Sequence, residues 1–185
     1  MTLPFFIIGG PPGAGKSTVA PVLAQKLDCD FFEGHTLVSG EDKAAMSGGA
    51  PLSESAHSQW MIDVVNAAHR LEKESSPKRI VATCTALTTK VRALLQNEVK
   101  RLNEQGSKLK LIIIWLNISK EESYQRAEKR VDHYYNPVMT DWLFARIDIP
   151  CVEGPEKEEN TYLVDASPQV EDVIASTLKV MNAMY

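Results

Sequence analysis

Cysteine is scarce and poorly placed for cross-links or metal. Cys29, Cys84 and Cys151 are odd in number and far apart, with neither Cys-x-x-Cys nor Cys/His ligand spacing. A disulfide scaffold and a zinc module are therefore excluded, and reduced, mostly buried thiols are expected. Long apolar runs are missing too. The longest, Phe5 to Ile8 and Leu111 to Leu116, fall far short of a bilayer's thickness, and no basic, apolar, small-residue leader opens the chain. Nor is there an excess of positive charge. A formal net charge of -4 with both signs scattered leaves no broad basic face to follow a phosphate backbone. Membrane and nucleic acid are not expected partners, and a cytoplasmic protein is expected. Internal repeats and low-complexity tracts are also lacking.

What is present is enough for one core. With 185 residues, 44% of them hydrophobic, the chain can bury one substantial core but not two independent ones. A single domain over 1–185 is expected. Short β-rich runs at Leu3 to Ile8, Asp30 to Phe32, Arg79 to Thr83, Leu109 to Leu116 and Thr161 to Val164 alternate with helical stretches. This alternation predicts an α/β fold whose central, mainly parallel five-stranded sheet is covered by helices on both faces. The unbroken apolar run of Leu111 to Leu116 suits a central strand.

The strongest chemical signal is Gly10-Pro11-Pro12-Gly13-Ala14-Gly15-Lys16-Ser17, a complete G-x-x-x-x-G-K-[ST] between a predicted strand and a predicted helix. Glycines let successive amides turn inward on phosphate oxygens, and the helix N-terminus adds a favourable dipole. Gly10, Gly13, Ala14, Gly15, Lys16, Ser17 and Thr18 are the candidate nucleotide contacts. Lys16 would bridge the β- and γ-phosphates, and the Ser17 hydroxyl would bind Mg²⁺. Such a loop serves kinases, GTPases, motors and passive sensors alike. No Asn-Lys-x-Asp guanine reader occurs, and neither Arg79 to Thr83 nor Leu111 to Leu116 ends in an acidic residue, which disfavours switch GTPases and motors. A predicted helix over Lys120 to Arg130 carries Arg126 and Arg130 one turn apart, placed to clamp a transferring phosphoryl group. The alternative is a solvated face paired with Glu121, Glu122 and Glu128.

Taken together, these elements resemble the gluconate kinase family, small relatives of shikimate and nucleoside monophosphate kinases, over nearly the whole length. Gly10 to Ser17 matches the family's phosphate loop, Gly49-Ala50-Pro51-Leu52 its Gly-x-Pro-Leu element, and Trp60 a following tryptophan. Cys84-Thr85-Ala86-Leu87 is similar to its Cys-Ser-Ala-Leu, with Arg92 downstream, while Arg126, Arg130 and His133 are similar to its lid signature. The resemblance implies a P-loop kinase fold, ATP with Mg²⁺, an acceptor-binding segment at about 34–60 and a lid at about 126–137. It also implies a sugar acid as acceptor and leaves a homodimer open.

Departures from the family collect on the acceptor side. Gly34-His35-Thr36-Leu37-Val38 stands where the family has Gly-Asp-x-Leu-His. Ala45 and Thr88 replace lysines, and Ala56-His57 replaces an Asp-Arg pair. With an unperturbed imidazole pKa of about 6.5, His35 could take the acceptor's proton, or it could merely fill the vacated space. Glu33, at a strand end, could hold Mg²⁺ through water or be an ordinary surface carboxylate. His57, Arg92 and His133 complete the candidate acceptor contacts. Three functions stay open: a sugar-acid kinase, a kinase of another small polyol, metabolite or nucleotide, and an ATP-binding regulator without phosphotransfer.

Overall fold

The structure is a computed structural model and describes residues 2–129 and 140–184. Five strands, β1 (Leu3–Gly9), β2 (Asp30–Phe32), β3 (Ile80–Thr83), β4 (Leu109–Asn117) and β5 (Thr161–Asp165), form one sheet in the order β2-β3-β1-β4-β5. Every pairing is parallel, with Phe5 opposite both Ile80 and Leu111 in the central strands. The helices are α1 (Lys16–Leu27), α2 (Gly40–Ser47), α3 (Glu54–Glu74), α4 (Thr89–Glu104), α5 (Lys120–Glu128), α6 (Thr140–Phe144) and α7 (Val170–Asn182).

Strand periodicity divides the core. On β1, Phe5 and Ile7 point to one face and Phe6 and Ile8 to the other, and all four are fully buried. The first face packs Leu111 and Ile113 against Trp60, Met61 and Val64 of α3 and Leu95 and Val99 of α4. The second packs Ile112 and Ile114 against Val19, Ala20 and Leu23 of α1 and Val173 and Met181 of α7. A strand buried on both faces reads as an unbroken apolar run, which is why β4 was visible in the sequence. The cysteines are all unpaired, but only Cys84 is buried; Cys29 is half-buried and Cys151 exposed, so thiols that are mostly buried is a description that Cys84 alone fits.

Helix starts are fixed by side chains. Ser39, Ser53 and Thr88 accept hydrogen bonds from the amides of Asp42, Ala56 and Val91 and so cap α2, α3 and α4. Thr88, which stands where the resembled family has lysine, thus has a local folding role.

Arg92 requires a correction. Instead of reaching an acceptor, its guanidinium is buried with 1% of the side chain exposed, and it does not line the cleft described below. Its Nε and Nη2 donate to the Glu158 carboxylate at 2.6 and 2.7 Å, and Nη1 donates to the Ala86 carbonyl at 2.9 Å. A bidentate pair of this kind fixes geometry as well as charge. It ties α4 to the segment before β5 and holds the β3–α4 loop, where Ala86 has a positive φ of 46°. The same loop is fastened by Asp148, whose amide donates to the Leu87 carbonyl at 3.0 Å and whose Oδ2 accepts from the Thr89 amide at 3.1 Å.

Glu158→Ala would strand the buried guanidinium, and loss of one partner of a buried pair costs about 3 kcal/mol. Denaturant unfolding should show that loss near neutral pH. Hydrogen bonding from Arg92 holds the Glu158 carboxyl below its ordinary value. A carboxyl whose folded pKa is depressed contributes stability that is present above the unfolded value of about 4.3 and fades as pH falls through the folded one. The difference between parent and mutant should therefore shrink in acid. An unchanged midpoint at neutral pH would show that the pair is not structural.

Candidate active site

The phosphate loop leaves β1 at the point where neighbouring crossovers diverge, the usual ligand position of an open parallel sheet. Gly10 adopts φ 131°, and a β-carbon there would stand 2.4 Å from the Leu116 carbonyl oxygen, so no other residue fits without moving β4. Gly15 precedes α1 with no side-chain cap. The first-turn amides of α1 are thereby presented to the loop, an arrangement suited to anions. Lys16 is 6% exposed, and its ammonium donates to the carbonyls of Gly10 and Pro11, both at 2.9 Å. Ser17 and Thr18 are exposed at the mouth of the loop. Behind the loop, the Ser123 hydroxyl donates to the Pro12 carbonyl at 2.7 Å.

Arg126 occupies a different place from the one its spacing implied. Its Nη1 donates to the carbonyls of Ala166 at 3.0 Å and Gly13 at 3.4 Å, and its Nη2 to that of Ser167 at 3.2 Å. It braces the phosphate loop against the turn after β5 and is not among the residues lining the cleft. Arg130, His133 and most of the expected lid lie outside the described residues.

A second cluster stands opposite the loop. The Glu33 carboxylate accepts from the Thr83 hydroxyl and, at 2.9 Å, from His35 Nδ1. Burial pushes the Glu33 carboxyl up, but hydrogen bonds from His35, Thr83 and Ser17 outweigh this and hold it below the usual carboxylate range. Glu33 therefore stays anionic, and Nδ1 of His35 carries the proton it donates. The pair Ser17 and Glu33 offers the oxygen donors that a hard divalent cation prefers, and Lys16 with the loop amides fits a polyphosphate, so nucleotide and metal suit the residues present.

Gly34 holds this cluster in place. Its amide donates to Thr83 Oγ1 at 3.1 Å, and its carbonyl accepts from the indole of Trp60 at 2.8 Å. The ring of Trp60 lies 5.5 Å from that of His35 and 5.7 Å from that of His57, the latter edge-on. His57 is lowered below the ordinary imidazole pKa by desolvation, which keeps it neutral near pH 7. Cys84 lies beneath, its thiol pushed up to about 12 by burial, and is no nucleophile.

Lys16, Ser17, His35, His57 and Trp60 all line one cleft of about 830 Å³. Its other walls come from α2 to α4 and α6, and include Trp142 and Arg146. Sequence reasoning missed Trp142, Arg146 and the Thr83 contact. An aromatic and a cation four residues apart were the available signal for the first two; the Arg146 guanidinium lies 4.1 Å over the Trp142 ring.

Phosphate loop, strand order and cleft define a P-loop kinase of small molecules. Comparison with known proteins agrees: residues 12–142 match the sequence model of the Shikimate kinase family. The "Probable gluconokinase" of Schizosaccharomyces pombe is 31% identical over 161 residues, covering 86% of this chain and 79% of that protein. The "Thermoresistant gluconokinase" of Escherichia coli is 27% identical over 177 residues, covering 96% of this chain and 93% of that one. A solved gluconokinase from Sinorhizobium meliloti 1021 shares the fold, with a TM-score of 0.75 at 21% identity over 99% of this chain and 93% of that one. The chain belongs to the shikimate kinase family and, within it, is a relative of the gluconokinases.

Gly34→Ala tests how the site is held. A β-carbon there would stand 2.0 Å from the Thr83 carbonyl oxygen, so β2 and β3 would have to part. A loss of at least about 2 kcal/mol in unfolding free energy is expected, together with lost activity. Parental stability would show that the close approach is not required.

Proposed function

We propose that this kinase binds ATP with Mg²⁺ at Gly10 to Thr18 and transfers the γ-phosphoryl group to a hydroxyl of a small acceptor in the adjoining cleft. The observation that supports this most is the opening of Lys16, Ser17 and His35 into the same cleft. Phosphoryl transfer asks chiefly for alignment and charge stabilisation, so a short route between donor phosphate and acceptor matters more than a strong base.

Lys16 would hold the β- and γ-phosphate oxygens, exchanging its carbonyl partners for anionic ones. Ser17 directly, and Glu33 through water, would hold Mg²⁺, which when bound neutralises charge on the phosphates. Glu33 also orients the His35 ring through Nδ1, and His35 receives the proton of the attacking hydroxyl. Arg130 is proposed to reach the migrating phosphoryl group.

For the acceptor, the names of the relatives put a sugar acid first. Ala45 and Thr88 remove two cations of the resembled pocket, and Arg92 is committed to Glu158. Each missing charge-assisted hydrogen bond costs on the order of 1.5 to 3 kcal/mol, so two weaken recognition of gluconate by roughly 10²- to 10⁴-fold. Gluconate is therefore expected to be a poor acceptor. A steady-state assay that gave kcat/KM above about 10⁴ M⁻¹s⁻¹ would contradict this.

Lys16→Ala should abolish most turnover and weaken Mg·ATP binding by at least about tenfold, as loss of a charged hydrogen bond of about 1.5 to 3 kcal/mol requires. Calorimetry showing unchanged affinity, together with unchanged transfer, would remove the phosphate-loop assignment. Arg130→Ala should lower kcat more than it raises KM, because a charge aimed at the migrating group acts mostly in the transition state. Equal kinetics in mutant and parent would show that Arg130 has no part in the transfer.

A further inference from the structure

The acceptor end of the cleft is lined mostly by apolar side chains, with Ser58, Thr88 and Asn97 among its polar groups. Its walls are made by Met46, Leu52, Trp60, Leu87, Leu94 and Trp142. Two cations stand at its exposed rim rather than in its interior: Lys90, paired with the exposed Glu54, and Arg146, stacked on Trp142 while donating to the Trp142 carbonyl at 3.0 Å. His57 is neutral and packed against Trp60. Among the described residues, one cleft-lining side chain carries a buried polar atom without a partner, and that atom is Thr85 Oγ1.

Each of these facts constrains the ligand. A buried hydroxyl without a hydrogen-bond partner is costly, and a site is most selective against groups it leaves unpaired. An open-chain polyhydroxy acid would bring many hydroxyls and a carboxylate against aliphatic and aromatic walls. A ring with an apolar face would cover those walls, stack on Trp142 or meet Trp60, and need few polar partners. Thr85 Oγ1 can satisfy one further polar group, while the reacting hydroxyl faces Lys16 and His35.

We infer that the acceptor is an alcohol carried on a ring with an apolar face, anchored by Trp60 and Trp142 and by one hydrogen bond to Thr85, and not an open-chain sugar acid. This rests on the kinase reading above and narrows it to a substrate class. The transfer itself is unchanged: the acceptor oxygen bonds to the γ-phosphorus, the β–γ bridging bond breaks, ADP leaves, and the hydroxyl proton passes to His35.

The test uses the full chain and three sets of acceptors with Mg·ATP. Deoxyadenosine and cytidine represent ring alcohols of nucleoside type, pyridoxine and 4-(hydroxymethyl)benzoate those of aromatic type, and gluconate and glycerate the open chains. Tryptophan fluorescence measures binding alongside turnover. At least one ring alcohol should exceed both open-chain acids by more than about tenfold in kcat/KM, a difference of about 1.4 kcal/mol. Which ring set wins distinguishes the two sources. Thr85→Val, nearly isosteric, and Trp142→Ala, at a partly exposed ring, should each raise KM for that acceptor about tenfold or more, with Mg·ATP affinity retained. Unaltered KM in both variants would overturn the proposed anchors.

Preference for gluconate or glycerate would overturn the inference and leave the kinase reading standing. Ring compounds that bind and quench fluorescence without ever accepting phosphate would support the pocket assignment and overturn the kinase reading. Mg·ATP binding with neither ring binding nor transfer to any of the six compounds would overturn both.

Discussion

The Glu33 carboxylate is the point on which the two halves of the site depend. It follows β2, receives the Thr83 hydroxyl from β3 and orients His35, and the Ser17 hydroxyl at the start of α1 helps hold it anionic. A half-buried carboxylate held below its ordinary pKa is stable only because these donors converge on it. Convergence needs close backbones, and Gly34, with the Thr83 carbonyl 2.0 Å from where its β-carbon would lie, allows β2 to approach β3. The Glu33 carboxylate, the His35 ring and the β2–β3 contact are thereby placed by one set of hydrogen bonds.

Around that set the phosphate loop and the acceptor wall lie at short range from one another. The loop from Gly10 to Ser17 carries the glycines, lysine and hydroxyl of a complete phosphate-loop pattern, whereas Thr88 and His35 line the other side of the cleft. Both residues have structural roles. Thr88 caps α4, and His35 completes the hydrogen bonds of Glu33.

The phosphate loop and the β4 strand were legible in the sequence because both are local patterns: fixed spacing in one case, an unbroken apolar run in the other. Strand order was not, since the pairing of β5 with β4 joins Thr161 to Ile113 across a long separation that periodicity does not encode. Arg92 shows the same limit at the level of one residue. Spacing placed it beside the acceptor segment, but its partner Glu158 lies 66 residues away, and only the fold reveals that the guanidinium is committed. Arg126 was read as a clamp on the transferring phosphoryl group, whereas its guanidinium is taken up by the carbonyls of Gly13, Ala166 and Ser167, partners that depend on the turn after β5. The partnership of Glu33 with His35 was the nearest miss. Both were named as candidates, two residues apart, but Thr83 and Ser17, which fix the carboxylate, come from other elements.

Phosphorus NMR of the protein with Mg·ATP and a mixture of ring and open-chain alcohols tests the central claim, that the cleft beside the phosphate loop carries the γ-phosphoryl group to an alcohol. The account predicts ADP and a new phosphomonoester resonance growing at equal rates, with little inorganic phosphate. ADP formed only with inorganic phosphate would contradict it, because the group would then be passing to water.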